Sequence, residues 1–132
     1  RISTGKGRTT CSYFMPGDAA ILYASTHLGG DSCPETGNLR AHGKYLWNIF
    51  DTYDIFVADL KGNIRKQLTD TLGYDAEATL SPQGDKIVFT STRSGDLELW
   101  TMDVDGSNQK QITFKLGYDG GAFFSPDGKK IV

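Results

Sequence analysis

The chain has 132 residues, with 14 Lys and Arg against 16 Asp and Glu, for a formal net charge of −2. With no run of Lys or Arg it lacks the basic footprint of a nucleic-acid-binding protein and the polybasic segment of a membrane anchor. No apolar run approaches the roughly 18 residues of a membrane-spanning helix, and no charged-then-apolar leader opens the sequence.

In chain order, Arg1–Arg8 (RISTGKGR) shows no periodicity, so residues 1–9 read as a linker or a torn N-terminus. Its Gly5-Lys6 pair lacks the preceding glycine, strand and helix of a phosphate loop. Thr10–Phe14 is expected as a first strand, Met15-Pro16-Gly17-Asp18 as a turn, and Ala20–Thr26 (AILYAST) as a buried second strand. After a long polar segment, Tyr53–Leu60 alternates as a third strand, Lys61-Gly62-Asn63 turns, and Ile64–Thr69 returns as the fourth. Glu77–Leu80, Lys86–Ser91, Glu98–Met102 and Lys110–Thr113 repeat that plan, with Asp105-Gly106 as the hairpin turn. Ala122–Phe124 and Lys130–Val132 begin it a third time. No window shows a helical period.

The plan recurs at a fixed step. ATLSPQGDKIV (Ala78–Val88) returns as AFFSPDGKKIV (Ala122–Val132), and Pro82 to Pro126 is a step of 44 residues. Asp59, Gly62, Gln67-Leu68-Thr69 and Leu72-Gly73-Tyr74-Asp75 recur at the same step as Asp103, Gly106, Gln111-Ile112-Thr113 and Leu116-Gly117-Tyr118-Asp119. The first unit aligns with the second at an offset of 66, so it carries an insertion of 66 − 44 = 22 residues between Thr26 and Tyr53. Four short strands per unit at a regular step are the pattern of a propeller blade. The expected fold is all-β: about two and a half four-stranded blades of a larger β-propeller. The boundaries are 10–76 for the first blade with insertion 27–52, 77–121 for the second, and 122–132 for the start of a third. Because a repeat unit buries its faces only against neighbours, further blades are expected in cis or by oligomerisation.

SPQGDKIVFTSTRSGDLELWTMDVDGSNQKQIT followed by YDGGAFFSPDGKKIV resembles the TolB-type (PD40) propeller repeat. The likeness runs from about Thr10 to Val132, apart from the insertion. The first unit departs from it, with Met15-Pro16-Gly17-Asp18 in place of Ser-Pro-Asp-Gly and Phe56 in place of Trp100. The resemblance implies a six-bladed propeller of the bacterial periplasm that docks a lipoprotein partner. It also admits an alternative, since related propellers are fused ahead of peptidase domains.

Strand alternation puts the loops between blades, and the second-to-third-strand loops, on one face at the mouth of the central channel. Tyr74, Asp75, Glu77, Tyr118 and Asp119 belong to that mouth, and Trp47 in the insertion lies on the same face. Asp75, Glu77 and Asp119 could form an acidic ring for a cation or a basic partner segment, or could each serve a local turn. Tyr74 and Tyr118 suit a contact rim or packing between blades. Tyr45, Trp47 and Phe50 form either a small satellite core or a binding patch. Cys11 aligns with Glu77, so a disulfide to Cys33 is the favoured reading. It would close a loop of about 20 residues and add on the order of 3 kcal/mol; two free thiols are the alternative.

His27, Asp31, Cys33 and His42 have no zinc-ligand spacing, and no metal is expected. Asp103-Val104-Asp105-Gly106 is a turn rather than a calcium loop, whose glycine is sixth and whose glutamate is twelfth. No nucleophile elbow, zinc-peptidase motif or cofactor-binding motif occurs, so no cofactor is expected. The sequence therefore points to a non-catalytic scaffold, periplasmic or secreted, that binds a protein or peptide partner through its mouth. The alternative is an accessory propeller of a secreted peptidase or other hydrolase whose catalytic residues lie outside Arg1–Val132.

Overall fold

The computed structural model describes residues 1–40, 43 and 46–132. β1 (Thr9–Phe14), β2 (Ala20–Ser25), β3 (Asp54–Asp59) and β4 (Ile64–Gln67) form one antiparallel sheet, and β5 (Asp75–Leu80), β6 (Lys86–Ser91), β7 (Glu98–Asp103) and β8 (Lys110–Gln111) form a second. A bridge between Phe124 and Ile131 begins a third unit. The two sheets are successive blades with the same strand order, as the repeat predicts.

The registers repeat residue by residue. Thr10 faces Ala24 and Tyr13 faces Leu22 in the first blade, as Ala76 faces Thr90 and Thr79 faces Val88 in the second. Phe56 opposite Gln67 recurs as Trp100 opposite Gln111. The Gln-x-Thr motif explains why β4 and β8 stop early. Ile55 N–H donates to the Thr69 hydroxyl at 2.9 Å and Leu99 N–H to that of Thr113 at 2.8 Å, so a side chain takes the place of the next ladder acceptor. Gln67 and Gln111 each fold onto the carbonyl of the same threonine, at 2.8 and 2.7 Å.

The Ser-Pro turns hold by the same logic. Ser81 Oγ accepts from the backbone N–H of Lys86 at 3.1 Å, and Ser125 Oγ from that of Lys130 at 3.0 Å. Met15 cannot do this, and the first blade turns instead through a short 3₁₀ segment, Pro16–Asp18.

Alternation decides which residues meet between blades. Leu22, Ile55, Val57 and Leu68 of the first blade pack on Ala78, Leu80, Ile87, Phe89 and Met102 of the second, all buried. The opposite side chains of the first blade, Ile21, Tyr23, Phe56 and Ala58, form a second buried cluster against which Ile2 packs. Blades come close because the hairpin glycine lacks a side chain. A Cβ at Gly106 would lie 3.0 Å from the Leu68 carbonyl oxygen, and its φ of 85° is left-handed.

Candidate functional site

The expected mouth is built by the chain crossing from one blade to the next. β5 begins at Asp75, two residues before the expected start, and contains a bulge between Ala76 and Thr79. β1 has the same bulge between Thr10 and Tyr13. At its centre Cys11 has φ 51° and Glu77 φ 58°, left-handed values that L-residues seldom adopt. Gly121, one step of 44 beyond Glu77, has φ 65°. Each repeat thus holds a left-handed position at this point, a strained one where Cys11 and Glu77 stand. Cys11, Glu77 and Gly121 all line one groove of about 340 Å³, together with Tyr13, Tyr118 and Phe123.

Glu77 is the hub. Its Oε1 accepts from the Tyr74 hydroxyl at 3.1 Å. Its Oε2 accepts from the Thr90 hydroxyl at 2.9 Å, the Tyr118 hydroxyl at 2.8 Å and the Gly121 N–H at 2.7 Å. The carboxylate therefore ties the second crossing to the third. Burial, and then the charge and hydrogen bond of Glu77, push the Tyr74 hydroxyl far above the ordinary tyrosine range. Burial, followed by the Glu77 bond and charge, does the same for Tyr118.

Around that hub the structure gathers Trp47. Its ring meets Tyr118 edge-on, with centroids 5.5 Å apart, and Tyr74 meets Tyr53 in the same way at 5.5 Å. A second groove of about 220 Å³ adjoins the first through Cys11 and Glu77 and includes Trp47 and Phe50 in its lining. Tyr45 and His42 lie outside the described residues.

Asp75 is elsewhere. It is 1% exposed and receives Arg93 Nη2 at 2.6 Å, beneath a guanidinium that also lies over the Phe89 and Trp100 rings at 5.4 and 4.9 Å. Burial raises the Asp75 carboxyl above its ordinary range against the opposing pull of Ser91 and Arg93. Asp119 is half-buried, and its N–H donates to the Leu97 carbonyl at 2.9 Å, as Asp75 N–H does to Tyr53 at 3.0 Å. The three acidic residues thus differ: Glu77 is a groove-lining hub, Asp75 is in a buried ion pair, and Asp119 is half-buried at the crossing.

The expected disulfide is not formed. Cys11 and Cys33 are both free and exposed. The bulge turns Cys11 onto the channel grooves, where its sulfur lies 3.3 Å from the Thr10 hydroxyl. A shared face of the propeller did not supply the close sulfur approach that a disulfide needs.

The other candidates for metal ligation are engaged in the scaffold. His27 Nδ1 sits 3.0 Å from Ser25 Oγ with its ring 4.5 Å from Phe56, and Asp31 pairs with Lys6 at 3.0 Å. Among the described residues no group of three or more His, Cys, Asp or Glu could hold a metal ion.

Arg93, Thr90 and Arg8 were missed by sequence reasoning. Arg93 follows Ser91, the register partner of Asp75, by two residues, and that spacing was the available signal. Gly121 aligned with Glu77 likewise signalled a left-handed position.

Two antiparallel four-stranded sheets with repeated register define an open part of a β-propeller. The chain belongs to the PD40 family, the TolB beta propeller domain, whose model matches residues 48–132. It is similar to the solved structure of a protein assigned as TolB from Agrobacterium tumefaciens, with 26% identity and a TM-score of 0.64 over 91% of this chain and 36% of that one. It is also similar to the crystal structure of TolB from Acinetobacter baumannii, with 25% identity and a TM-score of 0.62 over 92% of this chain and 25% of that one. The chain thus spans well under half the length of these relatives. No curated protein matches. Among the described residues no helix is long and apolar enough to cross a membrane. Family membership describes a propeller-type domain.

Proposed function

We infer that this domain binds a protein or peptide partner through its channel-mouth face, as a TolB-like scaffold in the bacterial periplasm or secreted space. The observation that supports this most is the junction of exposed aromatic rings, Trp47 and Tyr118, with two adjoining grooves on one face. Large, rigid aromatics beside concave surface are the usual anchors of protein recognition. Tyr74 and Glu77 frame the surface by fixing Tyr118, Asp75 holds the crossing from beneath, and Asp119 borders it. A periplasmic lipoprotein is the partner class that the family resemblance suggests.

The test places a photo-crosslinking amino acid at position 47 or 118 of the intact protein in cells, with position 61 on the opposite hairpin face as control. A discrete protein adduct from 47 and 118 but not from 61 supports this reading. Adducts from 61 alone would move the binding surface to the other face and overturn it.

A further inference from the structure

The first crossing repeats the second, contact for contact. Arg8 N–H donates to the Thr26 hydroxyl at 2.9 Å, as Tyr74 N–H does to that of Thr92 at 2.8 Å. Thr26 N–H returns to the Arg8 carbonyl at 2.9 Å, as Thr92 N–H does to that of Tyr74 at 3.1 Å. A Cβ at Gly62 would lie 3.0 Å from the Ile2 carbonyl oxygen, as one at Gly106 would from that of Leu68. Arg8, Thr26 and Ile2 match Tyr74, Thr92 and Leu68 at the offset of 66, and Gly62, beyond the insertion, matches Gly106 at the step of 44. Residues 1–8 therefore lie on the first blade as residues 67–74 lie on the second. Arg8 stands at the rim position that Tyr74 and Tyr118 hold in later repeats.

At the second crossing the bulge residue is Glu77, whose carboxylate takes the rim hydroxyls of Tyr74 and Tyr118. At the first crossing the bulge residue is Cys11, which is short and carries no carboxylate, and the rim residue is a cation. A groove of about 220 Å³ remains there, lined by Arg8, Thr10, Cys11, Tyr53, Tyr74 and Glu77 among others. Arg8 is the only Lys or Arg among its described lining residues, and its guanidinium lies 5.8 Å over the Phe50 ring. The repeat itself shows what such a place holds one blade on.

We propose that this groove receives a carboxylate of the partner, an acidic side chain or a C-terminus, which Arg8 binds where Glu77 stands in the next repeat. The inference rests on the partner-binding reading and names the chemistry of the group bound. A guanidinium above an aromatic ring is a planar, preorganised donor for a carboxylate. Glu77 has four neutral donors on its own carboxylate, which hold it in place without cancelling its charge, so Arg8 is the cation of the groove that offsets an incoming carboxylate.

Two experiments on the intact protein test this. First, Cys11→Glu rebuilds the missing carboxylate on a backbone already left-handed. It is expected to melt about 4 °C above Cys11→Gln, and the gain should vanish with Arg8→Gln. No gain over Cys11→Gln, or a gain that survives Arg8→Gln, overturns the proposal. Second, in a Cys33→Ser background, N-acetyl-Ala-Phe with a free carboxylate should slow alkylation of Cys11 by iodoacetamide, whereas its amide should not. Equal protection by acid and amide, or none by either, also overturns it. Persistent crosslinks from position 47 alongside such failure would leave the partner surface standing and remove only the carboxylate; absent crosslinks would remove the surface itself.

Discussion

Replacing Glu77 tests the hub and the backbone strain beneath it in one series. In Glu77→Ala the donors from Tyr74, Thr90, Tyr118 and Gly121 lose their acceptor. Tyr118 is 45% exposed and can turn to water, and Gly121 is exposed as well. Tyr74 and Thr90 are 5% and 0% exposed and cannot. Leaving two buried donors unpaired costs roughly 1–3 kcal/mol each, so the loss is about 2–6 kcal/mol. The alanine must also hold φ near 58°, where an L-residue carries on the order of 1 kcal/mol of strain that glycine escapes. Glu77→Gly should therefore be about 1 kcal/mol more stable than Glu77→Ala, as Gly121 in the next repeat suggests. Glu77→Gln keeps one acceptor oxygen and the side-chain volume, so it should lose least, roughly 1–2 kcal/mol. Urea denaturation of the four proteins gives the order directly. Equal stability of the alanine and glycine variants would refute the backbone part. A loss below about 1 kcal/mol in Glu77→Ala would refute the hub.

Asp54 is held at a pKa of about 6, chiefly by burial, with Thr69 and Gln67 pulling the other way. Between pH 4 and 6 the folded chain keeps a proton that an unfolded aspartate, with a pKa of about 3.9, has lost, so stability should fall as pH rises through that window. Asp54→Asn should remove that slope and gain about 1 kcal/mol at pH 7, allowing for partial solvent screening, as measured by melts across pH. His27 has the opposite sign. Burial, then Lys6, lowers its pKa, so its contribution is present above about pH 6.5 and is lost as pH falls through the folded value; His27→Gln should flatten that limb. Cys11 and Cys33 should both alkylate in the native protein, and a reductant should leave the melting temperature unchanged; a second thiol-free fraction on non-reducing mass analysis would contradict the free pair. Arg93→Ala should cost about 3–5 kcal/mol by stranding the Asp75 charge, more than Arg93→Ala combined with Asp75→Asn, and denaturation of both variants decides it.

The blade plan was readable because its signals are local. Asp-x-x-Gly hairpins, Ser-Pro turns and Gln-x-Thr strand ends are each set by hydrogen bonds spanning a few residues, and each recurs at 44. The fate of the acidic residues was not readable in the same way. Asp75 reads as a mouth carboxylate, but its partner Arg93 lies just past the end of the neighbouring strand, 18 residues on in sequence. For Glu77 the sequence leaves an acidic ring and a local turn both open, and nothing in it shows that the Tyr74 and Tyr118 hydroxyls meet that carboxylate. The disulfide was inferred from a shared face. Nothing in the repeat encodes the path of the insertion, so Cys33 could not be placed against Cys11 from sequence.

Positions where the repeats agree describe the scaffold, since each blade must solve the same packing problem. Positions where they differ are the ones free to carry individual chemistry, provided the local geometry is kept. Cys11, Glu77 and Gly121 share one left-handed backbone with three unlike side chains. Arg8, Tyr74 and Tyr118 share one rim position. Yet difference alone does not establish function. His27 replaces Arg93 in the first blade and keeps two of its contacts, to Ser25 at 3.0 Å as Arg93 Nε keeps Ser91 at 2.9 Å, and against the Phe56 ring as Arg93 lies over Trp100, while Thr9 stands where Asp75 would pair with it. There the substitution repacks a blade whose third strand lacks the tryptophan. Cys11 is the other kind of change: it brings no carboxylate to the place that Glu77 fills in the next repeat, and a groove stays open there. An uncompensated difference at a strained, channel-facing position is the feature that separates a candidate binding residue from a scaffold variant.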